Sequence, residues 1–278
     1  MTDLQKQANQ FRAMHHGPKI LLLPNVWDVA SAKVIEEAGF GAVATTSAGI
    51  AFALGYPDGQ RISREEMLTC VARIAKSVKV PVTADVEAGY GDRAEDAAQT
   101  TLGVIKAGAV GMNLEDGTED PEHPLADLNL QLEKVRAARE AAASKHVAVV
   151  LNARTDVYLL PAGTGPVNRY DEALRRLTSF RDAGADCVFA PGLREPDTIA
   201  RLVKDLRCPI NILAGPGCPS VPELEKFGVA RVSLGSAPMR ATLALLQRMA
   251  NELKTAGTYQ AMQGAPSHAD VNRMMGST

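Results

Sequence analysis

Long apolar runs, paired cysteines and an excess of either charge are all missing from this 278-residue chain. No stretch approaches the roughly 20 apolar residues that a membrane span needs. Residues 1–16 are polar and lack the apolar centre of a secretory signal, so the cytoplasm is the expected compartment. The four cysteines, Cys70, Cys187, Cys208 and Cys218, form no Cys-x-x-Cys pair and no metal-ligand spacing, and read as reduced, mostly buried thiols. A formal charge of −2 gives neither nucleic acid nor an anionic membrane an electrostatic footing. Gly215-Pro216-Gly217 is too sparse for a dinucleotide-binding turn. What is present is 46% hydrophobic residues, ample for the core of a soluble globular protein.

Short apolar, β-branched runs recur over 20–26, 41–47, 81–86, 111–115, 148–155, 187–191, 209–214 and 231–235, with amphipathic patterns between them. Ser63-Arg64-Glu65-Glu66 has the form of a capping box, Asp92 is the candidate N-cap of the next helix, and 237–253 is a long apolar-striped helix. A loose phrase repeats at Ala38-Gly39-Phe40-Gly41, Ala107-Gly108-Ala109-Val110, Ala183-Gly184-Ala185-Asp186 and Phe227-Gly228-Val229-Ala230. Each reads as a glycine that ends a helix and leads into a buried strand. Eight βα units in one chain of this length predict a single (β/α)8 TIM barrel over 1–278. Leu4, Ala8 and Phe11 share one face of an added helix within 1–18, packed across one barrel end, and 257–278 is a tail. An open doubly wound sheet is the rival architecture, and it normally has fewer strands.

The third and fourth strands end in acid. In Thr83-Ala84-Asp85-Val86-Glu87-Ala88-Gly89, residues two apart share a face, so Asp85 and Glu87 point the same way. Asn113-Leu114-Glu115-Asp116-Gly117 places Glu115 on the neighbouring strand. Three converging carboxylates repel one another strongly unless a cation joins them. Oxygen ligands without His or Cys select Mg²⁺ or Mn²⁺ over zinc.

Other polar residues fall at strand ends, where a barrel keeps its chemistry. These are Asn25, Trp27 and Asp28 after the first strand, Ser47-Ala48-Gly49 after the second, Asn152, Arg154 and Asp156 on the fifth, and Asn211 on the seventh. Burying such groups is costly without a purpose. Trp27 is either a packing residue or a substrate wall. Ser47 either closes a turn or offers its hydroxyl and backbone N–H groups to an anion. Asp156 either serves the site or only orients Arg154. Of the five histidines, only His123 sits in a loop above the expected site.

Leu22-Leu23-Pro24-Asn25-Val26-Trp27-Asp28, Ser47-Ala48-Gly49, Leu54-Gly55-Tyr56-Pro57-Asp58, Asp85-Val86-Glu87-Ala88-Gly89-Tyr90-Gly91, Leu114-Glu115-Asp116 and Ala153-Arg154-Thr155-Asp156 together resemble the isocitrate lyase/phosphoenolpyruvate mutase superfamily. The resemblance runs from about Leu21 to Leu246. It implies a barrel whose eighth helix is swapped between subunits, giving a homodimer or homotetramer. It implies Mg²⁺ held by Asp85, Glu87 and Glu115, partly through water, with Asp58 beside the metal. It also implies small 2-oxo or 2-hydroxy carboxylates as substrates, gripped by Ser47, Ala48, Gly49 and Arg154. The loop over 115–124 carries neither the cysteine of the lyase lid nor the Lys and Asn-Ser of the phosphonate branch. Pro191 stands where the lyases place a glutamate, and Glu87 replaces a commoner aspartate.

The expected reaction is therefore metal-dependent carbon–carbon cleavage, or decarboxylation, of a small 2-oxo or 2-hydroxy (di)carboxylic acid through a metal-stabilised enolate. Arg154 would bind a carboxylate bidentately, and Trp27 and Asn211 complete the candidate substrate contacts. Asp58, Tyr56 and Arg154 are the candidate catalytic residues, and Glu119, Glu122 and His123 the candidate lid acids. Three rival readings stand beside this one. They are a P–C bond enzyme of the same family, a barrel binding a phosphorylated substrate at Gly215-Pro216-Gly217 and Gly235-Ser236, and a 2-oxo acid-binding relative without turnover.

Overall fold

The computed structural model describes residues 2–118, 120–161 and 168–276. Nine strands pair in parallel throughout, in the order β1-β9-β8-β7-β6-β5-β4-β3-β2. They are β1 (Leu21–Leu23), β2 (Asn25–Val26), β3 (Val43–Thr45), β4 (Val82–Asp85), β5 (Gly111–Glu115), β6 (Val150–Arg154), β7 (Cys187–Phe189), β8 (Ile210–Leu213) and β9 (Arg231–Ser233). The first expected strand is divided at Pro24. Its first half pairs with β9 and its second half with β3, and this closes the barrel. Proline has no N–H to give a ladder, so the break falls where the chain changes neighbours. Asn25 stitches that seam. Its amide donates to Thr45 O at 2.7 Å, and its oxygen accepts from Leu234 N at 2.7 Å and Gly235 N at 2.8 Å. The architecture is the expected (β/α)8 barrel.

The repeated glycines do what the phrase predicts. Gly39, Gly108, Gly184 and Gly228 all have φ between +85° and +112°, a left-handed turn that releases each helix into the following strand. Ser63 caps α4 (Arg64–Ser77) through a reciprocal box with Glu66. Asp92 is not a cap: α5 (Ala94–Lys106) starts one residue later, and Asp96 satisfies the backbone N–H of Arg93. The strands bury Val, Leu, Ala and Met side chains under the surrounding helices. All four cysteines are free, but only Cys187 is fully buried, which corrects the expectation for the other three.

At the lower end, α1 (Asp3–Met14) presses Ala8 and Phe11 into the barrel mouth. Phe11 comes so close to β5 that a Cβ on Gly111 would lie 2.6 Å from Phe11 Cε1 and 2.7 Å from Thr83 Oγ1. At the other extreme, α10 (Ala237–Thr255) buries only Met239 and leaves Leu243, Leu245, Leu246 and Leu253 exposed. The tail beyond it forms α11 (His268–Gly276), which packs on α2 (Val29–Glu37) of the same chain. Among the described residues no helix is long and apolar enough to cross a membrane.

Candidate active site

A cavity of about 190 Å³ opens at the C-terminal ends of the strands, lined by Asn25, Ser47, Ala48, Asp58, Asp85 and Arg154 on its polar side. Ser47-Ala48-Gly49 is not a closing turn but the first turn of α3 (Ser47–Leu54), capped by Thr46. The backbone N–H and the hydroxyl of Ser47 both donate to Asp85 Oδ2 at 3.0 Å. A helix N-terminus is a natural place for such a charge. Thr45 Oγ1 accepts from the Asp85 backbone N–H, and Asn113 Nδ2 donates to Asp85 Oδ1 at 3.3 Å. Gly49 is required by crowding, because a Cβ there would lie 2.5 Å from Thr46 Cγ2 and 3.0 Å from Trp27 Cβ.

Arg154, at the end of β6, is gripped by acid on two sides. Its Nε and Nη2 donate to the two oxygens of Asp156 at 2.5 and 2.9 Å, and its Nη1 lies 2.5 Å from Glu115 Oε2. Its guanidinium also sits 5.8 Å from the centre of the Phe189 ring. Burial alone would lower its pKa, but Glu115 and Asp156 outweigh that and raise it. Of the five guanidinium donors, two remain for a ligand in the cavity. Asp156 thus orients Arg154, and its own backbone N–H is held by the buried Asp116, which pairs with Arg176.

Asp85, Glu87 and Glu115 do not form the three-ligand cluster expected of them. Among the described residues no three His, Cys, Asp or Glu side chains are arranged to hold a metal together. Glu115 is turned to Arg154. Glu87, in a left-handed conformation at φ 52°, binds Gln60 N and accepts from Tyr90 Oη at 3.0 Å. The extra methylene of glutamate lets Glu87 reach those neighbours, and β5 aligns Glu115 directly with Arg154. The carboxylates of the cavity itself are Asp85 and Asp58.

Asp58, Glu87 and Glu115 all still feel Asp85. Burial, then Asp85 and Asp58, push Glu87 up to about 7. Burial, against the opposing pull of Arg154, holds Glu115 well above the usual carboxylate range. Asp58 stands at the cavity mouth, still reached by solvent, and is raised by partial burial and by Asp85. The oxygen donors that line the cavity, Asp85 and Asp58, are of the kind a hard divalent cation takes.

Three expected site residues lie elsewhere. Trp27 packs under Gly49 and faces a separate groove with Ile50, Leu54 and Met275, so it is a packing residue. Asn211 is fully buried below the cavity, donating to Ser233 Oγ at 3.0 Å, because its place on β8 is one layer too deep. Tyr56 is 40% exposed and does not line the cavity. In the loop above, Glu122 and His123 are exposed, and His123 binds Asp120 at 3.0 Å. Glu119 lies outside the described residues.

Sequence reasoning missed a polar column beneath the site. Arg231 is completely buried in the barrel, and Asn113 Oδ1 accepts from Asn152 at 2.7 Å and from Arg231 Nη2 at 3.4 Å. This fixes the Asn113 amide so that its nitrogen faces Asp85. From below, His15 Nε2 stands 3.5 Å from Arg231 Nη1, and its Nδ1 is 2.9 Å from Phe11 O. His15 is therefore buried. The only signal was the arginine itself, set in the otherwise apolar run Val229-Ala230-Arg231-Val232.

The family model of phosphoenolpyruvate phosphomutase matches residues 11–254. A solved structure from Burkholderia cenocepacia J2315 is 38% identical, with a TM-score of 0.92, covering 99% of this chain and 98% of that one. An uncharacterized protein of Mycobacterium tuberculosis H37Rv, Rv1998c, is 36% identical over 84% of each chain. The 2-methylisocitrate lyase of Escherichia coli K12 is 25% identical over 94% of this chain and 88% of its own.

Proposed function

Because the chain belongs to the isocitrate lyase/phosphoenolpyruvate mutase superfamily, we propose that it is a divalent-cation-dependent lyase that breaks a carbon–carbon bond in, or decarboxylates, a small 2-oxo or 2-hydroxy acid. The observation that carries this reading is that two carboxylates, Asp85 and Asp58, share one cavity at the strand ends with Arg154, the one Lys or Arg among its described lining residues. Mg²⁺ or Mn²⁺ at Asp85, when bound, would supply Lewis-acid stabilisation of negative charge on a substrate oxygen.

The chain's own residues do the rest. Ser47 holds Asp85 in one orientation, and the Asn113 amide holds its second oxygen. Arg154 uses its two remaining donors to fix one carboxylate of the substrate, with Asp156 and Glu115 keeping the fork in plane. Asp58, at the mouth and with a raised pKa, is placed to exchange a proton with the reacting carbon or oxygen. A phosphonate would bring a second negative charge to a head group served by one arginine, which favours carbon–carbon over phosphorus–carbon chemistry. The exposed apolar stripe of α10 is the surface through which a second copy docks.

The test is product analysis by proton and phosphorus NMR with Mg²⁺ and a panel of oxaloacetate, malate-type 2-hydroxy acids and phosphonopyruvate. Consumption of a carbon acid with release of a 2-oxo acid or carbon dioxide is the expected result. Turnover of phosphonopyruvate alone would overturn the assignment.

A further inference from the structure

Arg154 pairs with Glu115 and Asp156, and the buried Arg176 with Asp116 and Glu172. Arg231, on β9, is 0% exposed and has no such acid beside it among the described residues. Its guanidinium meets two neutral groups, His15 Nε2 at 3.5 Å and Asn113 Oδ1 at 3.4 Å, and its Nε has no partner among the described residues. Burial lowers its pKa to about 10, so it remains a cation at neutral pH. Cys187 and Asp85 oppose that fall, but burial lifts the Cys187 thiol to about 12 and keeps it neutral. That leaves Asp85 as the charge Arg231 answers. A buried cation without an ion-pair partner is costly, and an apolar side chain in such a place often leaves a fold as stable or more so. Packing alone does not account for Arg231.

Its effect lies one layer up. Asn152 Nδ2 donates to Asn113 Oδ1 at 2.7 Å, while Asn152 Oδ1 has no partner among the described residues. An amide offers donors at one end and an acceptor at the other, so this pair alone can sit either way round. In the reversed sense Asn113 turns its oxygen on Asp85, carbonyl against carboxylate. A guanidinium can only donate. Set below Asn113 Oδ1, it fixes the sense in which Asn113 Nδ2 reaches Asp85 Oδ1. Beneath it, His15 gives its Nδ1–H to Phe11 O, so its Nε2 is left to accept from Arg231.

Building on the proposed lyase activity, we infer that Arg231 is a positioning residue for the reaction: it sets the sense of the Asn113 amide and, through that amide, the aim of Asp85. Arg231 does not line the cavity. Its loss therefore disturbs the reacting geometry and spares substrate binding, which Arg154 serves.

Arg231→Met keeps the length of the side chain and removes its donors. Neutron diffraction from wild-type and variant crystals separates N–D from oxygen in an amide, and so reads the sense of Asn113 without any turnover. The expected result is Asn113 Nδ2 toward Asp85 in wild type and a mixed or reversed amide in Arg231→Met. The same sense in both overturns the inference. With Mg²⁺ and the preferred acid, the variant should lose at least about 10-fold in kcat, with KM within about 3-fold and a melting temperature at or above wild type. A lowered melting temperature with kcat intact makes Arg231 a packing residue and overturns the role. Arg231→Lys, which also can only donate, should recover most of the lost kcat; a lysine no better than methionine contradicts the donor role. If Arg231→Met does not fold, Arg231→Gln replaces it, because an amide there restores the ambiguity. Failure of both to fold overturns the inference. A wild type that turns over no carbon acid removes the lyase reading, and the Asn113 amide still decides what Arg231 does.

Discussion

Ser47 gives both of its donors to one oxygen of Asp85, backbone N–H and hydroxyl alike at 3.0 Å. The first turn of α3 is thereby tied to the end of β4, and the carboxylate is aimed before any ligand arrives. Ser47→Ala removes one charge-assisted hydrogen bond and leaves the backbone one in place. A bond of this kind is worth about 1.5–3 kcal/mol, so the melting temperature should fall by several degrees, and kcat/KM should fall roughly 10- to 100-fold as the carboxylate loses its aim. Steady-state kinetics beside a thermal melt check both halves of this expectation.

Arg154→Lys keeps the charge and loses the fork. A lysine cannot span both Asp156 oxygens and Glu115 while still facing the cavity. Two lost charged hydrogen bonds predict a fall in kcat/KM of at least about 100-fold, with KM rising because substrate binding is hit directly. Kinetics indistinguishable from wild type would remove Arg154 from the substrate-binding role.

Burial and the nearby Arg231 lower the His15 pKa to about 3. The unfolded histidine takes up a proton near pH ~6.5, while the folded one stays neutral with Nε2 turned to Arg231. Its contribution to stability is therefore complete above about pH 6.5 and is lost as pH falls toward the folded value. At pH 4 the loss is up to about 3 kcal/mol. Urea melts at several pH values should show His15→Gln, which keeps an acceptor for Arg231, with a flatter acid limb than wild type. Parallel limbs would contradict a neutral buried His15.

Gly111→Ala sets a methyl against Phe11 and Thr83 at under 3 Å. Overpacking of this kind costs about 1–3 kcal/mol. Denaturant unfolding should recover part of that loss in the double variant Gly111→Ala/Phe11→Leu, which relieves the contact with the ring and leaves the one with Thr83. Additive effects would place the strain elsewhere.

The barrel was legible because its signals are local. Gly39, Gly108, Gly184 and Gly228 announce helix ends through the backbone conformation they permit, and apolar runs of strand length follow them. Arg154 and Asp85 were legible because charged groups in otherwise apolar surroundings need a purpose, and Asp58 only through the family resemblance. Depth within the barrel was not legible. Asn211 and Asn25 read alike in sequence, yet only Asn25 reaches the cavity, because depth depends on register around a closed sheet. Trp27 was misplaced for a similar reason, since its side is set by the break at Pro24 and by the small space above Gly49. The pairing of Glu115 with Arg154 follows from strand alignment across β5 and β6, which no single segment encodes.

Turnover of the preferred acid by chelator-stripped protein, titrated with Mg²⁺ in wild type and in Asp85→Asn, tests the central claim most directly. No turnover is expected without added cation, with recovery at saturating Mg²⁺ in wild type and at least a roughly 100-fold deficit in the variant at the same Mg²⁺. Full turnover in chelator, or an Asp85→Asn enzyme that recovers as wild type does, would contradict it.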